Sequence, residues 1–134
     1  MIVSESKFAV HIVHINESLL EQKWLDASIE MTDEAYKAEM HTYLKTVEQF
    51  KLKHALINSK KFGYAITPNI QTWVDQEIAT KANKIVEKIA FVVPVDIMSE
   101  ISIQQTMEEA EAVKYKKIAY FDNSQKALEW LLKK

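Results

Sequence analysis

The 134-residue chain has no cysteine and no arginine, only one glycine and two prolines, and no apolar run long enough for a bilayer. Each scarcity removes a class of function. Without cysteine there are no disulfides, thiol nucleophiles or thiolate metal sites, which agrees with a reducing compartment. A single glycine, Gly63, cannot supply the several side-chain-free positions at which a backbone closes on phosphates. Walker-type and dinucleotide-binding loops are thereby excluded, and no serine sits in a Gly-x-Ser-x-Gly elbow. All 17 basic residues are lysines and the formal net charge is −2. Lysine lacks the planar fork that reads guanine or clamps phosphate, and no basic field attracts a polyanion, so no nucleic-acid partner is expected. The longest apolar run, from Ile89 to Val95, is interrupted by Pro94 and predicts no transmembrane segment. Glu5 and Lys7 precede the first apolar stretch, which lacks the basic-then-apolar order of a secretory signal; a cytoplasmic location is expected.

What is present suits one α/β domain spanning residues 1–134, with 48% hydrophobic content. Phe8 to Ile15 is rich in β-branched residues, and Leu19 to Leu25 sets Leu20 and Trp24 against Glu21 and Lys23. With Asn16, Glu17 and Ser18 as the turn, these predict a hairpin. Thr32 reads as the N-cap of a helix with Asp33 and Glu34 in its first turn and one apolar face of Tyr36, Met40, Tyr43, Leu44, Val47 and Phe50. His54 to Asn58 predicts a strand. Thr67 and Pro68 predict a cap and first position of a second helix, its inward face running from Ile70 through Val74 and Ile78 to Ile85. Ile89 to Val93 reads as the middle strand of the sheet. Ser102 is expected to cap a third helix, Ile118 to Phe121 to form the last strand, and Ser124 to cap a fourth helix. The pattern predicts a mixed, mostly parallel five-stranded sheet opening with a β-hairpin, and four helices.

In such a sheet the strand ends that feed helices gather on one edge, where ligands bind. The loop from Ser59 to Thr67 is the longest connection there. It carries Lys60 and Lys61 for charge, Phe62 and Tyr64 for apolar contact, and a helix start at Thr67. Other constellations do not converge. His11 and His14 are three apart in a strand, an odd offset that sends the rings to opposite faces, so they cannot share a metal. His41 falls on the polar side of its helix among Lys37, Lys45 and Glu48, and His54 begins a strand. Glu108, Glu109 and Glu111 spread around a helix rather than pairing. Trp24, Trp73 and Trp130 read as core or interface. No metal, cofactor or catalytic residue is expected. The alternative is a small enzyme assembled at the same edge from a histidine with Asp96, Asp122 or Lys60.

The order of elements, together with Ile89-Ala90-Phe91-Val92-Val93-Pro94 and Ile101-Ser102-Ile103-Gln104-Gln105-Thr106, resembles the STAS domains, the SpoIIAA-like anti-anti-sigma-factor fold. In that family a strand ending in Asp precedes an Asp-Ser-Ser-Gly helix start whose serine is phosphorylated. Here the strand ends in Asn58-Ser59 and the helix start reads Ile66-Thr67-Pro68-Asn69, which leaves Thr67 as the candidate phosphoacceptor. The resemblance implies a non-catalytic binding or regulatory module. Its partner is a protein, a second copy of the chain, or a small apolar or anionic ligand, met through Ser59, Lys60, Lys61, Phe62, Tyr64 and Thr67.

The charge pattern carries its own test: an RNA or DNA oligomer bound at low salt is released at about 0.15 M ionic strength, where unpaired lysines are screened. Retention of the oligomer in a salt titration beyond that point contradicts the exclusion of nucleic acid.

Overall fold

Period-two alternation across two short segments builds the start of the sheet. The computed structural model describes residues 1–98 and 117–133. Strands β2 (Ala9–His14) and β3 (Leu19–Trp24) form the expected hairpin, with His11 opposite Gln22 and His14 opposite Leu19. Ser18 takes a left-handed backbone, φ 52°, in the turn. Among the described residues the sheet has six strands rather than five, because Ile2–Glu5 adds β1 antiparallel to β2. Four residues with a register shift between Ile2 and Ser4 are too short to show alternation in the sequence.

From β3 onward the pairing is parallel. Helix α1 (Asp33–Phe50) leads to β4 (His54–Asn58). A second helical segment begins as α2 (Pro68–Trp73), passes through a π-helical stretch Val74–Ala79, ends as α3 (Thr80–Ala82) and leads to β5 (Lys88–Val92). β5 pairs in turn with β6 (Lys117–Phe121), and α4 (Ser124–Leu132) follows. The strands lie in sequence order, β1-β2-β3-β4-β5-β6. The apolar run at β5 is therefore not the middle of the sheet but its fifth strand. Its two faces meet different layers: Ala90 and Val92 are buried against α4, while half-buried Ile89 and Phe91 pack against the core on the α1 and α2 side.

Local capping follows the sequence closely at two helices and departs from it at a third. Thr32 accepts a hydrogen bond from the Ala35 N–H at 3.1 Å, and Thr67 accepts one from the Ile70 N–H at 3.4 Å with Pro68 next in line. At α4 the cap is Asn123 rather than Ser124: its Oδ1 accepts from the Lys126 N–H at 2.9 Å. The expected helix capped by Ser102 lies outside the described residues.

Two apolar layers sandwich the sheet. On one side Leu20, Trp24, Ala55 and Ile57 pack beneath Tyr36, Tyr43, Leu44 and Val47 of α1 and Ile70, Ile78 and Ala82 of the second helical segment. On the other, Leu19, Leu56, Ala90 and Val92 meet Ala127 and Leu131 of α4. The β3–α1 and β4–α2 connections are fastened together at the strand ends. The buried hydroxyl of Ser28 donates to the Lys61 carbonyl at 3.2 Å and accepts from the Gly63 N–H at 2.9 Å. Glycine is required there, since a Cβ on residue 63 would lie 2.8 Å from the Cβ of Ile29.

Helix α1 ends on Lys51, whose φ of 54° and ψ of 50° are left-handed. A side chain pays a steric penalty in that region that glycine does not. Lys51→Gly is expected to raise the unfolding free energy by about 1 kcal/mol, read as a higher urea midpoint at unchanged slope; an unchanged or lower midpoint contradicts it.

Candidate functional site

Between the sheet and the two helical segments lies a chamber of about 420 Å³. Its floor follows from strand register. Gln22, Ile57, Phe91 and Tyr120 are successive cross-strand partners on β3, β4, β5 and β6, so one row of side chains on one face runs across the parallel half of the sheet. All four line the chamber, as do Ile89 and Ile118 of the neighbouring row. Its roof comes from two adjacent i, i+4 stripes of the second helical segment, Val74-Ile78-Ala82 and Gln71-Asp75-Ala79-Asn83, with Tyr36, Met40 and Tyr43 of α1 closing the inner end. The π-helical stretch holds Val74, Asp75, Ile78 and Ala79, and small residues at 79 and 82 leave room beneath it.

The inner end is polar. Gln22 is 1% exposed, and its amide nitrogen lies 3.1 Å from Nε2 of His11, which is fully buried. On the far side of His11, Nδ1 stands 3.9 Å from Oε2 of Glu39 on α1; neither atom has a hydrogen-bond partner among the described residues. The other Glu39 oxygen accepts from the Ser6 hydroxyl at 2.6 Å. A polar line thus runs from the β1–β2 turn through α1 and β2 to the chamber wall. Burial pushes His11 down to about 4, so its imidazole is neutral. Burial also raises the phenols of Tyr36, to about 12, and of Tyr43 and Tyr120, so these lining groups carry no charge. Asp75 is the charged lining residue among those described; it is exposed and accepts from the Gln71 amide at 3.0 Å.

The loop singled out from sequence borders this chamber without forming an open surface of its own. Ser59 and Phe62 line it. Phe62 sits edge-on to Trp24 with ring centres 4.9 Å apart. Tyr64 is buried, stacks on Tyr36 at 4.6 Å and donates its hydroxyl to Asp33. The expected outward apolar contact from Tyr64 is therefore corrected: its ring belongs to the core. Lys60 and Lys61 are exposed, Lys61 lying 4.0 Å from Asp26, and exposed Thr67 serves as the α2 cap. Of the residues named for the enzyme alternative, Asp122 pairs with Lys126 at 3.4 Å, and the backbone N–H of Lys60 donates to the Asn58 side chain at 3.3 Å. His11 and His14 face opposite sides of the sheet, His11 within the core and His14 3.3 Å from Glu21. A smaller cavity of about 220 Å³ beside α4 is lined by His14, Glu21 and Ser124, with no hydrogen bond joining Ser124 to His14.

Sequence reasoning passed over Gln22 and Glu39, and weighed His11 only as a metal ligand paired with His14. The available signal was positional: Gln22 stands between inward-facing Leu20 and Trp24, His11 between Ala9 and Val13, and Glu39 between Tyr36 and Tyr43 on the apolar face of α1.

Comparison with known proteins lends no family: no family model matches, and no curated protein or solved structure is detectably similar. The geometry alone carries the functional argument.

The unfolded chain binds a proton on His11 near the ordinary 6.5, whereas the folded protein does so only near 4. Stability from keeping His11 neutral is therefore full above pH 6.5 and drains away as pH falls through this window, by about 3 kcal/mol. Urea titrations from pH 7.5 to pH 4 are expected to show this loss superimposed on that of the carboxylates, and His11→Gln to flatten it. Parallel pH profiles for the two proteins contradict it.

Proposed function

We propose that this chain is a non-catalytic binding module of the STAS-like type, and that what it binds is a small apolar molecule held between the sheet and the α1 and α2 side. The observation that carries this is the 420 Å³ chamber and its lining of Trp24, Ile57, Ile78, Ile89 and Phe91. A half-open space of this size with mostly apolar walls falls within the range of small-molecule sites. The absence of convergent acid, base and nucleophile groups among the described lining residues favours binding over chemistry.

A protein partner or anionic ligand at Ser59 to Thr67 is less well supported. Phe62 and Tyr64 are drawn into the aromatic cluster with Trp24 and Tyr36, leaving Lys60 and Lys61 as the outward features of the loop. Isolated surface lysines contribute little to binding. A hairpin followed by helix-linked parallel strands supports the SpoIIAA-like resemblance at the level of architecture.

The neutral fluorescent amine N-phenyl-1-naphthylamine is expected to bind with one-to-one stoichiometry, to take excitation energy from Trp24 and to raise the melting temperature. Ala79→Leu places three extra carbons inside the chamber and should weaken the probe at least tenfold while the protein stays folded by circular dichroism. Absence of probe binding to the wild type, or equal binding to the folded Ala79→Leu protein, overturns the proposal.

A further inference from the structure

Polar side chains in the interior of a sheet face cost stability unless they are satisfied, and the chamber has one at its closed end. Gln22 stands at the start of the row that continues through Ile57 and Phe91 to Tyr120. Three inter-strand spacings separate the ends of this row, about 14 Å. The row changes character along its length. Gln22 is buried against His11 and Met40, Phe91 and Tyr120 are stacked with ring centres 5.3 Å apart, and Ile118 on the last strand is 45% exposed. The chamber is thus polar at its enclosed end and aromatic toward the edge of the sheet.

The Gln22 amide is held from behind. One of its two polar atoms is taken by His11 Nε2 at 3.1 Å, and His11 is walled in by Glu39 at 3.9 Å. With the nitrogen given to His11, the amide oxygen has no hydrogen-bond partner among the described residues. Whichever way round the amide sits, one polar atom remains for the chamber. A hydroxyl complements either orientation, since it both donates and accepts.

Charge is unsuited to this end. No lysine lines the chamber among the described residues, and the Glu39 carboxylate stands behind His11. An anion would lose its hydration with no counter-charge, and a hydrocarbon would leave the amide atom unpaired.

Building on the binding-module function, we infer that the ligand is an uncharged, elongated amphiphile whose single hydroxyl-type group enters first and hydrogen-bonds the amide of Gln22, while its apolar body lies along Ile57, Phe91 and Tyr120. His11 is a positioning residue: it holds the amide and does not touch the ligand.

The test uses three molecules of one skeleton: biphenyl, 4-phenylphenol and 4-phenylbenzoate. Each is titrated into wild type and Gln22→Met at pH 7.5, with dissociation constants from calorimetry and tryptophan quenching. In the wild type 4-phenylphenol is expected to bind at least tenfold more tightly than biphenyl, and 4-phenylbenzoate at least tenfold more weakly than the phenol. Gln22→Met preserves side-chain length without the amide and should bring biphenyl and 4-phenylphenol within about threefold of each other. Equal binding of biphenyl and phenol to the wild type overturns the inference while leaving the chamber a binding site, and this comparison needs no variant to fold. A preference for the phenol that survives in Gln22→Met also overturns it. Binding of none of the three overturns the chamber as a site and the inference with it.

Discussion

A parallel crossover between neighbouring strands turns to the right, and in this chain successive strands are laid down in one direction across the sheet. These two conditions together place α1 and the second helical segment on the same face, where Tyr43, Leu44, Ile70 and Ile78 share one core with Leu20, Ala55 and Ile57. Among the described residues the opposite face is covered by α4. Everything that makes the chamber follows from that asymmetry. Two helical segments side by side over parallel strands enclose a space between their inner surfaces and the sheet, and residues with small side chains at Ala79 and Ala82 keep it from filling.

The second dependence is on hydrogen bonds that hold the strand-end loops in place. Ser28 accepts from one backbone group of the β4–α2 loop and donates to another, and the absence of a side chain at Gly63 lets that loop lie against Ile29. Phe62 and Tyr64 are thereby delivered to Trp24 and Tyr36, where four aromatic rings form one cluster. A loop that reads as a free recognition surface becomes one wall of the interior. The hydrophobic gain from burying such rings, roughly 2 kcal/mol each, exceeds what exposed lysine contacts could contribute on the same segment.

Polar residues inside this fold are arranged with the same economy. Ser6, Glu39, His11 and Gln22 come from the β1–β2 turn, α1, β2 and β3, and each is inward-facing. A neutral imidazole and neutral phenols make the enclosed end of the chamber polar without charge. The described residues include no helix long and apolar enough to cross a membrane.

Helix starts at Thr32 and Thr67, the hairpin from Ala9 to Trp24 and the strands at His54 and Lys88 are determined by the sequence itself. Each rests on local chemistry: a hydroxyl reaching a backbone N–H three residues on, a proline at a first turn, an apolar period of two. The α/β class and the mostly parallel pairing follow from their alternation. Strand β1 escaped because four edge residues carry too little pattern, and Asn123 displaced Ser124 as a cap because either side chain suits that position. Only the tertiary structure decided which residues meet. Gln22, Ile57, Phe91 and Tyr120 are separated by up to 98 positions and become neighbours through register alone, and His11 finds Glu39 only once α1 has crossed the sheet. Register and crossover are set by the whole chain folding together, so a binding row assembled from one residue per strand leaves almost no trace in any single stretch of sequence.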